Sequence, residues 1–149
     1  MKRQYKRKKG KSISQAKKHL YKGVQYKSGL EMKMARVLTE LKVPFKYEPE
    51  RFTLMEGFKF DRTSYERQAN GKGEFKDRGN KKVLPITYTP DFIGKGWIVE
   101  CKGFANESFP MKWKMFKKVI NKDITLFKPQ CHKECELTGE LILKLKNDE

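Results

Sequence analysis

The sequence contains no apolar run approaching the roughly 20 residues that a bilayer-spanning helix needs. Its charged N-terminus is not followed by an apolar stretch, so it offers no secretory signal. There are only three cysteines, Cys101, Cys131 and Cys135. An odd count without paired spacing argues against a disulfide framework and fits a reducing, intracellular setting. The first 22 residues hold ten Lys or Arg and not one acid. No zinc finger or other base-reading module is recognisable.

What is present is charge. The 149 residues carry a formal net charge of +17. Such a balance says little about fold but favours a polyanionic partner, nucleic acid first and an anionic membrane surface second. Without the first 22 residues, 25 basic residues still face 18 acidic ones. We expect residues 1–25 to form a basic, flexible tail, either solubilising or gripping phosphates through counterion release. With 37% hydrophobic and 12% aromatic residues the remainder can bury a core, and residues 26–149 read as a single domain.

Within that domain, Leu30, Met34, Val37, Leu38 and Leu41 recur at helical spacing, with Ser28 as N-cap and Pro44 just beyond. They predict a helix over 28–42. Alternating aromatics predict strands near 45–48 and 51–60. Residues 61–82, with three glycines and eleven charges, read as an exposed insertion, a loop or hairpin tip able to touch nucleic acid or simply solvated. Residues 86–103 predict a β-hairpin turning at Gly94-Lys95-Gly96, whose glycines permit positive φ. Pro110 opens a helix over 110–121, expected to bury Met111, Met115, Phe116, Val119 and Ile120. A short strand over 123–127 follows, and residues 131–146 stay ambiguous because Gly139 weakens a helix. The order predicts an α/β fold with a mixed central β-sheet flanked by helices.

The hairpin carries the candidate chemistry. Strand alternation puts Glu100 and Lys102 on one face and Val99 and Cys101 on the other, with Asp91 across from Val99 or Glu100. Glu100 lies in an apolar run, Trp97-Ile-Val-Glu-Cys, where a carboxylate is costly unless paired or bound to a cation. One reading is a buried salt bridge from Lys102 to Glu100 or Asp91. The other is an oxygen-rich Mg²⁺ site. Glu31 is equally double: Ser28-Gly-Leu-Glu31 is a capping box, yet a helix start facing the core also lets Glu31 reach a sheet edge.

Pro90-Asp91 followed by Glu100-Cys101-Lys102 resembles the PD-(D/E)xK nuclease motif. Lys27-Ser-Gly-Leu-Glu31, Val43-Pro-Phe-Lys-Tyr-Glu48, Tyr88-Thr-Pro-Asp-Phe92 and Val99-Glu-Cys-Lys-Gly103 together resemble the phage endonuclease I family of Holliday-junction-resolving enzymes. The resemblance spans about residues 26–120, leaving the tail, insertion and C-terminus outside. It implies a restriction-endonuclease-like core and a metal-dependent DNA endonuclease. Mg²⁺ is the implied cofactor, with Mn²⁺ able to substitute. Asp91, Glu100 and the Cys101 backbone carbonyl would bind the metal, and Glu31 a second metal or a water. Lys102 would orient the nucleophile or stabilise phosphate charge, and Lys112, Lys114, Lys117 and Lys118 would contact DNA. It further implies a branched duplex substrate, a homodimer, no membrane, no small-molecule cofactor, and the host cytoplasm if the chain is phage-encoded. Alternatives are another nuclease use, such as nicking, end processing or genome degradation, and a non-catalytic basic nucleic-acid-binding protein. Cys131, His132 and Cys135 offer three zinc ligands where a structural site usually takes four.

Overall fold

The structure, a computed structural model, describes residues 19–148. The expected tail divides at that boundary. Residues 1–18 lie outside the described residues, but residues 19–25, placed in the tail by composition, form with Tyr26 a hairpin of β1 (His19–Tyr21) and β2 (Val24–Tyr26). Lys22 and Gly23 turn it with φ of 46° and 78°, the double positive φ of a type I′ turn. Tyr26 is buried in the main core and Tyr21 packs against it, so this segment is anchored by apolar burial that its flanking lysines obscure.

Helix α1 (Gly29–Glu40) matches the sequence expectation, with Ser28 Oγ accepting from the Glu31 amide at 3.2 Å. Strands β3 (Lys46–Tyr47) and β4 (Phe52–Met55) follow. The predicted strand over 51–60 is two strands, because β5 (Phe58–Phe60) leaves β4 at Gly57 to pair elsewhere. Of the two forms expected for the insertion, a loop or a hairpin tip, the structure shows the second, as a β-ribbon. β6 (Tyr65–Glu66) pairs with β7 (Lys76–Asp77), β5 with β8 (Lys81–Val83), and β4 with β9 (Ile86–Tyr88), each antiparallel and each nested within the next.

Strands β10 (Phe92–Gly94) and β11 (Trp97–Val99) form the predicted hairpin. Only Gly96 takes positive φ, at 77°. Gly94 serves a different need: a Cβ there would lie 2.1 Å from the Trp97 indole. Helix α2 (Phe109–Val119), strand β12 (Thr125–Phe127) and helix α3 (His132–Asn147) complete the chain. The main sheet has the order β12-β11-β10-β3, with β11 and β12 parallel and the other pairs antiparallel. The fold is therefore mixed α/β with one mixed four-stranded sheet and several small two-stranded ones.

Two cores lie on opposite sides of β11. Val99 and Cys101 join Met34, Leu38, Cys135 and Ile142 from α1 and α3. Ile98 joins Leu54, Tyr88, Phe109, Trp113 and Phe116, mostly from β4, β9 and α2. Helix α2 is rotated from the predicted phase. It buries Phe109, Trp113 and Phe116, while Met111 and Val119 are exposed. The aromatic residues at i, i+4 and i+7 stack as a ladder on Tyr88 and outbid the methionine stripe. Among the described residues no helix is long and apolar enough to cross a membrane.

Gly139 explains the ambiguity at the C-terminus. It weakens helix propensity locally, but it is the point where α3 meets α1: a Cβ there would lie 2.6 Å from Val37 Cγ1 and 2.7 Å from Leu41 Cδ1. A salt bridge from Lys33 to Glu136, at 2.8 Å, joins the same two helices. We expect Gly139→Ala to destabilise the protein by about 1–3 kcal/mol through overpacking, despite its gain in helix propensity. Chemical denaturation checks this, and adding Val37→Ala should recover part of the loss. A neutral or stabilising Gly139→Ala would show that the helices are not in tight contact there.

Candidate active site

The site begins at a break in strand pairing. Phe92 pairs with Tyr47 and Phe52 with Tyr88, so residues 48–51 on one side face only 89–91 on the other. Pro90 has no amide to donate to a ladder. Glu48 takes a positive φ of 44°. The two segments stay joined by the Glu48 amide donating to the Asp91 carbonyl at 2.8 Å. The break opens into a cavity of about 280 Å³ lined by four carboxylates, Glu31, Glu48, Asp91 and Glu100, with Lys27, Lys102 and Lys112 also in its wall.

Strand β11 continues in extended form past its last ladder residue. The Glu100 amide donates to Phe127 O at 2.9 Å and the Lys102 amide to Pro129 O at 3.1 Å. Alternation therefore holds through Lys102, and Glu100 and Lys102 line the cavity while Val99 sits in the α1/α3 core. Because Phe92 is opposite Val99, Asp91 falls opposite Glu100. The Cys101 side chain points into the core, as its strand position predicts, and its main chain forms cavity wall by donating its amide to Asp91 Oδ2 at 2.7 Å. Glu31 reaches the same wall from the first turn of α1.

The acids are buried: Glu31 and Asp91 are 7% exposed and Glu100 5%. Burial is the main cause that raises the Asp91 carboxyl, to about 8, with Glu100 and Glu31 adding repulsion and the Cys101 amide opposing it. Burial likewise raises Glu100, against the pull of the Tyr88 hydroxyl and Lys102. Tyr88, buried and facing the Glu100 charge, is held firmly protonated and donates to Glu100 Oε2. Tyr47 does the same for Glu31 Oε2.

The salt-bridge alternative is not realised. The ion pairs among the described residues are Lys27–Glu48 and Lys33–Glu136, and neither includes Asp91 or Glu100. Lys102 instead stands over the Phe109 ring, its Nζ 4.6 Å from the centroid. The capping-box reading of Glu31 holds in part. Ser28 Oγ accepts from the Glu31 amide and its hydroxyl donates back to Oε1 at 2.9 Å, while Oε2 takes Tyr47 and, at 3.3 Å, the Lys27 amide. Glu31 thus caps the helix and walls the cavity at once.

Of the four lysines expected on DNA, Lys112 lines the cavity. Lys114, Lys117 and Lys118 are exposed and, at 3.6 residues per turn, lie on the far side of α2 from Lys112. Lys117 rests over Trp113. Cys131 and His132 are exposed whereas Cys135 is fully buried, so these three do not converge. Sequence reasoning assigned no role to Glu48, Lys27, Tyr47 or Tyr88, although all fall in or beside the quoted motifs.

No three His, Cys, Asp or Glu side chains among the described residues are grouped to hold a metal as they stand. Each acid is instead turned onto a protein donor, Asp91 onto the Cys101 amide, Glu100 onto Tyr88 and Glu31 onto Tyr47. The donor set itself, carboxylate oxygens without a cationic partner on Asp91 or Glu100, suits a hard divalent ion such as Mg²⁺.

These shifts set a pH dependence. Raised carboxyls mean that the fold keeps protons which an unfolded chain releases near pH 4. The Asp91 contribution to stability is full below that pH and is lost as pH rises toward and through about 8. Asp91→Asn removes the ionisation but keeps an acceptor for Cys101. In EDTA we expect the variant to melt close to wild type at pH 3.5 and a few degrees above it at pH 9. A difference that does not grow with pH would contradict this account of the buried acids. Comparison with protein-family models, curated proteins and solved structures finds no match to the chain, so its functional reading stands on the geometry of this site.

Proposed function

We propose that the chain is a metal-dependent DNA endonuclease that hydrolyses phosphodiester bonds at this cavity. The observation that carries the reading is the convergence of Asp91, Glu100, Lys102 and Glu31 on one cavity, with neither Asp91 nor Glu100 neutralised by an ion pair. A mixed sheet with an acid at a strand break, and an acid and a lysine two residues apart on the neighbouring strand, supports a restriction-endonuclease-like core. The charge of +17 supports a polyanionic substrate.

Asp91 and Glu100 would hold Mg²⁺ or Mn²⁺, with the Cys101 main chain beside them and Glu31 across the cavity. Bound there, the ion would stabilise charge on the phosphate and make water a better nucleophile. The protein's own groups do the positioning. The Cys101 amide fixes the Asp91 rotamer and the Tyr88 hydroxyl fixes Glu100, so both carboxylates are oriented before substrate arrives. Lys102, packed on Phe109, presents its ammonium to the attacking water or to the phosphate. Lys112 is placed to hold a neighbouring phosphate, which positions the backbone without reading sequence. Tyr47 holds Glu31 as Tyr88 holds Glu100. A branched duplex as substrate and a homodimer as the working unit complete the proposal, since resolving a branch takes paired cuts.

The test is a cleavage panel of linear duplex, single strand, flap and four-way junction with Mg²⁺ or Mn²⁺. Asp91→Ala, Glu100→Ala and Lys102→Ala are each expected to lower cutting by about 100-fold or more while DNA binding persists. Glu31→Ala should cut poorly where Ser28→Ala, which loses the cap and one hydrogen bond to Glu31 but keeps the carboxylate and its Tyr47 partner, stays active. Wild type that binds DNA but cuts no member of the panel would leave a non-catalytic binding protein.

A further inference from the structure

The ribbon formed by β5–β8 and β6–β7 has no part in the chemistry above, and its construction is unusual. No residue from 58 to 83 is buried. Two-stranded ribbons without an apolar face are marginal in water. This one is held by polar side chains bonded to its own backbone. Asp77 Oδ1 accepts the Ser64 amide at 3.0 Å and the Gly79 amide at 2.9 Å. The Arg78 guanidinium donates to Glu66 O at 3.0 Å and to Glu74 O at 3.2 Å. The ribbon is a built element that projects side chains rather than burying them.

What it projects is specific. The pairing Tyr65↔Asp77 and Glu66↔Lys76 sets the face of Tyr65, the Phe75 ring meets Tyr65 on it, and the strand alternation continued by one residue brings exposed Arg67 to the same side. Tyr65 and Phe75 are 64% and 67% exposed, with ring centroids 6.1 Å apart in the diagonal cross-strand position. Asp77, the acid on that face, is committed to two backbone amides. Residues 58–83 carry eight Lys or Arg against four acids, so two copies of the ribbon repel and a polyanion is attracted. The ribbon is also continuous with the cavity wall, since β9 ends at Tyr88, whose neighbour Thr89 lines the cavity.

We propose that the ribbon tip is a stacking site for unpaired nucleobases, with Tyr65 and Phe75 as the platform and Arg67 on the adjoining phosphate. Exposed aromatic rings beside cationic side chains take bases of any identity, because every base has a π-face. This rests on the nuclease reading of the cavity and sharpens it: the preferred DNA carries unpaired nucleotides next to the duplex that is cut.

The experiment uses the full chain in EDTA and fluorescence anisotropy with two labelled DNAs of equal length, one fully paired and one with a short single-stranded gap. Wild type is expected to bind the gapped DNA about tenfold or more tightly than the paired one. The double variant Tyr65→Ala/Phe75→Ala should lose that preference and keep its affinity for paired DNA, with an unchanged melting temperature. Arg67→Ala should weaken the gapped complex and lower its salt dependence. No preference in wild type, an equal loss on both DNAs, or a change in oligomeric state of the double variant by sedimentation would overturn the proposal, the last indicating a protein–protein surface. The two readings fail separately. Cleavage without a gap preference removes the stacking site alone, and a gap preference lost on Tyr65→Ala/Phe75→Ala without any cleavage removes the nuclease alone.

Discussion

Asp91 and Glu100 are buried opposite one another on adjacent strands, and the fold has to tolerate their repulsion. Low dielectric strengthens that repulsion and removes the hydration that would otherwise offset it. Two local devices hold the pair in place. An amide from the neighbouring strand takes one acid, and a tyrosine on the preceding strand takes the other. Neither neutralises the charge. Both acids stay raised, chiefly by burial.

The surrounding structure follows from keeping that pair buried and reachable. Pro90 and the positive φ of Glu48 interrupt the ladder so that the cavity has an opening. The α1/α3 core, closed at Gly139, anchors the backs of the same strands through Val99 and Cys101. The aromatic core beneath α2 supports Tyr88 from below and supplies the ring on which Lys102 rests. Removing apolar contact on either side would loosen the acids, so packing and chemistry are coupled through one strand, β11.

Much of this was legible in sequence because the residues obey short-range rules. The α1 periodicity, the hairpin at Lys95-Gly96 and the alternation from Val99 to Lys102 each rest on contacts within a few positions, and the structure has them where expected. What was not legible depends on distant partners. Gly139 reads as a helix weakener until Val37 and Leu41 are seen against it. Met111 and Val119 look like core until the Tyr88 ring selects the aromatic face of α2. The ribbon lacks apolar alternation and is held instead by Asp77 and Arg78, so charge masked its strands. Tyr47 and Tyr88 meet their acids 16 and 12 residues away, distances that no local pattern encodes.

The central claim is that the buried acids form a cation site. The most direct test is a crystal structure of the wild-type protein grown with Mn²⁺ and measured at the manganese absorption edge. The account predicts an anomalous peak in the cavity, about 2.1 Å from oxygens of both Asp91 and Glu100. A cavity without manganese at millimolar concentration, or manganese bound only at an exposed site such as His132, would contradict it.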